Sequence, residues 1–227
     1  MTNTEFDSLL SLIFPIHEKE GPPTMQCLVD VVRHSAFFQM DQIQRVAQQA
    51  LDQHPDFPAP LRLHLARTCF IPEWILPATR QLVTMAFTDL TRDNAELIGI
   101  NAFYLVVHAR ARIDHLRRTC ALRPPNPVHH TTWCKGEGSC ERAWKDAWFG
   151  AWDRPSIATL LIHPDRYVSG SNILTKLEYM NTGDMDISCH NLSVAKVIAG
   201  GDPARCALLK EEMIIEETAG AIRATHL

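Results

Sequence analysis

The sequence predicts an all-α protein, a helical bundle with little or no β-sheet. Apolar residues recur at three- and four-residue spacing along most of the chain, the signature of helix faces turned to a core. Sustained two-residue alternation, the strand signature, appears nowhere. Prolines and glycines fall mainly between the periodic stretches, where they act as breaks.

The elements follow in order. After Gly21-Pro22-Pro23, residues Met25, Leu28, Val29, Val32 and Ala36 share one face. Asp41 is expected to cap the next helix with Gln44 at its third position, followed by Ile43, Val46, Ala47, Ala50 and Leu51 at helical spacing. Three prolines between Pro55 and Pro60 predict a turn or short extended piece. Leu61 to Phe70 then reads as a short helix. Pro72 suits the first turn of another helix, running through Trp74, Ile75, Leu82 and Val83, with a kink expected at Pro77. Asp93 and Glu96 form a capping pair opening the longest helix, which carries Leu97, Ile98, Ala102, Leu105, Val106, Ala109, Ile113 and Leu116. Arg117 and Arg118 at its end suit the helix dipole.

Pro124, Pro125 and Pro127 mark the best boundary. The expected organisation is a helical region over 1–122, a Pro/Gly-rich linker over 123–138, and a helical C-terminal region over 139–227. In that last region Ser139 is expected to cap a helix bearing Trp144, Trp148 and Trp152. Ser156 to Ile162 forms a short apolar stretch ended by Pro164, and Ile173, Leu174, Leu177 and Met180 form another amphipathic piece. Gly200-Gly201 reads as a turn. The final helix sets Leu208, Ile215, Ala219 and Ile222 on one side, with Glu211, Glu212, Glu216 and Glu217 mainly solvated.

Composition narrows the function classes. A hydrophobic content of 46% is that of an ordinary globular chain. Net charge −4 and pI near 6.2 argue against a nucleic-acid face. The densest basic stretch, Arg110, Arg112, Arg117 and Arg118, reads as a solvated helix face. No run is apolar enough to span a membrane, and the N-terminus lacks a secretory pattern. The expected location is cytoplasm or nucleus, where seven cysteines are thiols or metal ligands rather than disulfides.

The N-terminal part resembles a known family. Phe6, Leu9, Leu10, Ile13, Phe14 and Pro15 are similar to the F-x-x-L-L-x-x-I-Y-P segment in the middle of BTB/POZ domains. Val31 to Leu51, with Phe38-Gln39-Met40, Ile43 and Val46, resembles the helical hairpin of those domains. Pro60 to Arg80, with Leu65-Ala66-Arg67 and Ala78, resembles the helices that follow it. In the C-terminal half, Cys134 and Cys140, Trp144 with Trp148, Leu160 to Asp165, and Cys189 match in order the pattern of BTB-domain proteins of mushroom-forming fungi. Asp186 stands where that pattern has the first cysteine of a late pair. The strand, dimerisation helix and H-K-x-x-L segment that open a BTB domain have no counterpart before Phe6, so the resemblance implies a BTB protein lacking the N-terminal half of the domain.

Two functional readings follow. The resemblance implies a non-enzymatic interaction protein, an adaptor or scaffold, with a protein partner such as a cullin-type ligase scaffold. No catalytic constellation is present: no HExxH, phosphate-binding loop, dinucleotide glycine motif or recognisable triad. The alternative is a zinc-stabilised helical module, with a structural or, less readily, a catalytic metal. Cys134, Cys140 and Cys189 supply three soft ligands, and His190 the fourth, with Asp186 as a harder substitute. Gly136 and Gly138 would let the intervening loop wrap an ion. The five-residue gap between Cys134 and Cys140 exceeds the usual two to four, so core or leftover thiols are the plainer expectation. His129-His130, in proline-rich surroundings, is expected to be solvated. The tryptophan stripe is expected to anchor the C-terminal core, with partner binding as the sharper reading. Trp133 is a candidate cover for a metal site.

Overall fold

The structure is a computed structural model that describes residues 2–13, 23–123, 125, 128–134, 136–150, 156–163, 166–199 and 203–225. Phe14, Pro15, Gly21, Pro22, Pro124, Pro127, Trp152, Pro164, Asp165, Gly200 and Gly201 lie outside the described residues. Every regular element among the described residues is helical, as the periodicity predicts. The chain divides into two compact units. One comprises Met1–Leu82, Arg92–Phe103 and Ala219–Leu227, and the other Val83–Thr91 and Tyr104–Thr218.

In the first unit, α1 (Asn3–Ile13) is followed by α2 (Met25–Phe37), whose first turn is closed by the Thr24 hydroxyl accepting from the Cys27 amide. Leu28, Val29, Val31 and Val32 of α2 are buried. The helix ends in a Schellman arrangement: the amide of Met40 bonds the Ser35 carbonyl, and that of Gln39 bonds the Ala36 carbonyl. Gln39 therefore takes a φ of 57°, a position glycine usually fills. α3 (Asp41–Asp52) starts at Asp41 itself, with Met40 as the residue before it and no side-chain cap. Asp41 thus helps through the helix dipole rather than as a cap. Gln44 turns away to donate to the Cys69 carbonyl.

α4 (Ala59–Thr68) has Pro60 in its first turn, and Phe70, two residues past its end, is again left-handed at φ 55°. A 3-10 turn over Pro72–Trp74 leads into α5 (Ile75–Thr84). Pro77 lies in the first turn of α5, where no intrahelical amide bond is lost, so it need not kink the helix as expected.

The single long helix expected from Asp93 is instead two, α6 (Arg92–Ile98) and α7 (Ile100–Leu122), broken at Gly99 with φ 82°. Two α4 side chains one turn apart close the end of α6. His64 Nδ1 pairs with the Leu97 carbonyl at 2.8 Å, and the Arg67 guanidinium donates to the Ile98 carbonyl. A side chain at 99 would be strained by that φ, and its Cβ would lie 3.3 Å from Arg67 Nη1.

The second unit contains most of α7, then α8 (Glu137–Phe149), α9 (Ile157–Ile162), α10 (Gly170–Glu178), α11 (Ile187–Ala199) and much of α12 (Pro203–Ala224). Ser156 and Ser169 cap α9 and α10. Ser139 falls inside α8 and donates to the Gly136 carbonyl instead of capping. Trp144 and Trp148 are almost wholly buried, as expected of core anchors. Their indole N–H groups donate to the Pro125 and Ala121 carbonyls, both at 3.0 Å. The first of these bonds ties Pro125 to α8, and the span Tyr104–Thr218 of the second unit includes the expected linker over 123–138.

The basic stretch departs furthest from expectation. Arg117 is buried rather than solvated and makes a bidentate pair with buried Glu211, Nε to Oε1 at 2.9 Å and Nη2 to Oε2 at 3.0 Å. Its Nη2 also donates to the Val168 carbonyl. The Tyr167 hydroxyl donates to Glu211 Oε2, and its ring lies 3.9 Å from the guanidinium carbon. Burial, and then the neighbouring Glu211 charge, push the Tyr167 hydroxyl well above the usual tyrosine range.

Candidate metal centre

The sequence sets the cysteines on three local structures. Thr131 to Cys134 forms a tight turn, closed by the Cys134 amide donating to the Thr131 carbonyl at 3.0 Å. Cys140 sits at the start of α8, where its amide reaches back to the Gly136 carbonyl. Cys189 lies in the first turn of α11, which Asp186 opens: its Oδ1 accepts from the amides of Ser188 at 2.9 Å and Cys189 at 3.2 Å.

The segment before the turn is laid against α11 by two matched contacts. The His129 amide donates to Ser193 Oγ at 2.9 Å, and the Thr131 amide to Cys189 Sγ at 3.4 Å. Two residues of extended chain advance about 6.6 Å and four residues of helix about 6 Å, so one register satisfies both contacts. His130 lies between them.

The result is a cluster of four donors. His130, Cys134, Cys140 and Cys189 each offer one ligand atom, and these atoms all lie within 4.8 Å of one another. Cys134 Sγ and Cys140 Sγ are 3.7 Å apart, which agrees with the spacing of about 3.5–4 Å that tetrahedral bonds near 2.3 Å impose. Cys140 and Cys189 are buried, and His130 and Cys134 half-buried. His130 Nδ1 is itself buried and has no hydrogen-bond partner among the described residues. A buried imidazole nitrogen without a partner is costly, and a metal bond is one way to satisfy it. The arrangement can therefore hold a metal ion.

Three of the residues expected as ligands are brought together. The fourth member is His130, read from sequence as solvated, and not His190 or Asp186. The helix gives the reason. Neighbouring residues on α11 point about 100° apart, so when Cys189 faces the cluster His190 faces elsewhere. Its ring lies 6.1 Å from that of Trp144, and its Nε2 is buried without a partner among the described residues. Asp186 is exposed and occupied as a cap. Trp133, the candidate cover, is 88% exposed. The signal that could have found His130 was its three-residue gap to Cys134, within the usual metal-ligand range.

The fold and the cluster together define an all-helical chain with a three-thiol, one-imidazole donor set. No protein-family model, curated protein or solved structure matches the chain.

Proposed function

We propose that the four donors hold one structural zinc ion, and that the chain is a non-enzymatic helical interaction protein whose second unit is organised by that metal. The observation that carries this reading is the convergence of His130, Cys134, Cys140 and Cys189. Three thiolates and an imidazole are the soft donor set zinc prefers over magnesium or calcium. Four protein ligands complete a tetrahedral shell and leave no position for water or substrate, so the metal's role is structural. With three thiolates the site carries net negative charge. Cys140 and Cys189 lie in the first turns of α8 and α11, where helix dipoles favour such charge, and the Thr131 amide donates to one sulfur.

Metal analysis tests the proposal. Folded protein purified without chelator is expected to hold about one zinc per chain. Less than about half an equivalent would dismiss a tight structural site.

The adaptor role suggested by the BTB/POZ resemblance is the second reading, with a cytoplasmic or nuclear setting and a cullin-type scaffold as candidate partner. Two features support it. α2 and α3 form a helical pair where the resemblance places the BTB hairpin, and Phe37 and Phe70, at the ends of α2 and α4, are 80% and 81% exposed. Phenylalanine is among the residues enriched at protein–protein interfaces relative to the rest of the surface. Among the described residues no helix is long and apolar enough to cross a membrane. Affinity capture with the full chain should recover a defined partner, and recovery should fall at least tenfold in an F37D/F70D variant. Recovery of the chain alone under several conditions would count against an adaptor.

A further inference from the structure

We infer that Cys134 is an oxidant-reactive thiol and Cys140 its resolving partner, so that a hydroperoxide unloads the metal by joining these two sulfurs; the inference rests on the zinc reading above. The four ligands are not equivalent. Cys140 and Cys189 are 1% and 0% exposed, whereas Cys134 is half-buried beside the exposed Thr132 and Trp133. An oxidant entering from solvent meets Cys134 first, and reactivity follows thiolate character and access.

The second step is set by distance. Cys140 Sγ is 3.7 Å from Cys134 Sγ, close enough for a disulfide to form with a small movement of the chain between them. That chain contains Gly136 and Gly138, and the space where a Gly138 side chain would sit is open. Cys189 is held differently. Its sulfur accepts from the Thr131 amide and lies 3.7 Å from the Thr131 hydroxyl, and such contacts reduce its nucleophilicity.

The chemistry balances. The Cys134 thiolate attacks the terminal oxygen of hydrogen peroxide, forming a sulfenic acid and releasing hydroxide. The Cys140 thiolate then attacks that sulfur, forming the S–S bond and expelling a second hydroxide. Two electrons pass from the two sulfurs to the peroxide. Only His130 and Cys189 remain as donors, too few for a closed tetrahedral shell, and zinc leaves. A dithiol reductant reverses the bond by exchange and restores the site when zinc is present.

The test uses the full chain with its metal content measured first, then stepwise hydrogen peroxide. A chromogenic indicator reads released zinc, and peptide mass spectrometry after alkylation maps the disulfides. About one zinc is expected per disulfide formed, the bond is expected between Cys134 and Cys140, and dithiothreitol with added zinc is expected to return both to the starting state. Zinc-loaded protein that keeps its metal while other thiols oxidise, or that forms its first disulfide through Cys189, overturns this inference and leaves the zinc reading intact. A chain that takes up no zinc in the first measurement overturns both.

Discussion

Replacing Cys189 with alanine is expected to abolish zinc binding and to lower the thermal unfolding midpoint by on the order of 10–20 °C. That is the shift a loss of about 5 kcal/mol produces in a chain of roughly this size. The magnitude follows from what the sulfur joins. Cys189 on α11 is distant in sequence from Cys140 on α8 and from the neighbouring His130–Cys134 segment, and one ion would cross-link all three. Apparent zinc affinities in structural sites reach about 10–16 kcal/mol, part of which is folding free energy. A control separates ligation from packing. Cys120 is 4% exposed in the same apolar core and is not one of the four donors. Cys120→Ala removes a group of about methylene size, should cost about 1 kcal/mol, and should leave the metal bound. Circular dichroism melts with and without chelator measure both variants. If Cys189→Ala and Cys120→Ala melt alike, and chelator moves neither wild type nor control, the cluster is ordinary core.

The helices were legible because each face carries its own period. Leu28, Val29 and Val32 of α2, and Ala47 and Leu51 of α3, were expected on core faces and are buried. The site was three-quarters legible for a related reason: cysteine is rare, and its spacing stands out. His130 was missed because proline-rich surroundings usually mean solvent. Here two hydrogen bonds to α11, from residues on either side of it, pin the segment down, and neither leaves a local mark in the sequence. Helix ends were misplaced where side chains had two uses. Asp41, Asp93 and Ser139 look like caps, but each falls inside its helix. The break at Gly99 depends on His64 and Arg67 of α4, which periodicity along α6 and α7 cannot register.

Arg117 and Glu211 show the same limit at its largest scale, and their replacement gives the second large expected effect. Each looks solvated in its own helix, and only the fold reveals that they meet, with side chains 6% and 3% exposed. Glu211→Ala removes two bonds from the guanidinium and the acceptor of the Tyr167 hydroxyl at once. It leaves a buried cation with the Val168 carbonyl and the face of the Tyr167 ring, and no counter-charge in the network. Breaking one side of such a pair typically destabilises by about 3–5 kcal/mol, because the surviving charge stays out of water. Arg112 and Glu217 offer an internal comparison on the same two helices. They pair at 3.1 Å with side chains 45% and 56% exposed, so Glu217→Ala should change stability by at most about 1 kcal/mol. Replacing the whole buried network, as R117M/Y167F/E211L, removes every charge and its need for a partner. That triple variant should recover much of the stability lost in Glu211→Ala. Urea titration of the three variants decides the matter. Equal small losses for Glu211→Ala and Glu217→Ala would mean that water reaches Arg117 and that the pair is not closed. A triple variant less stable than the single one would mean that the ion pair itself stabilises the second unit.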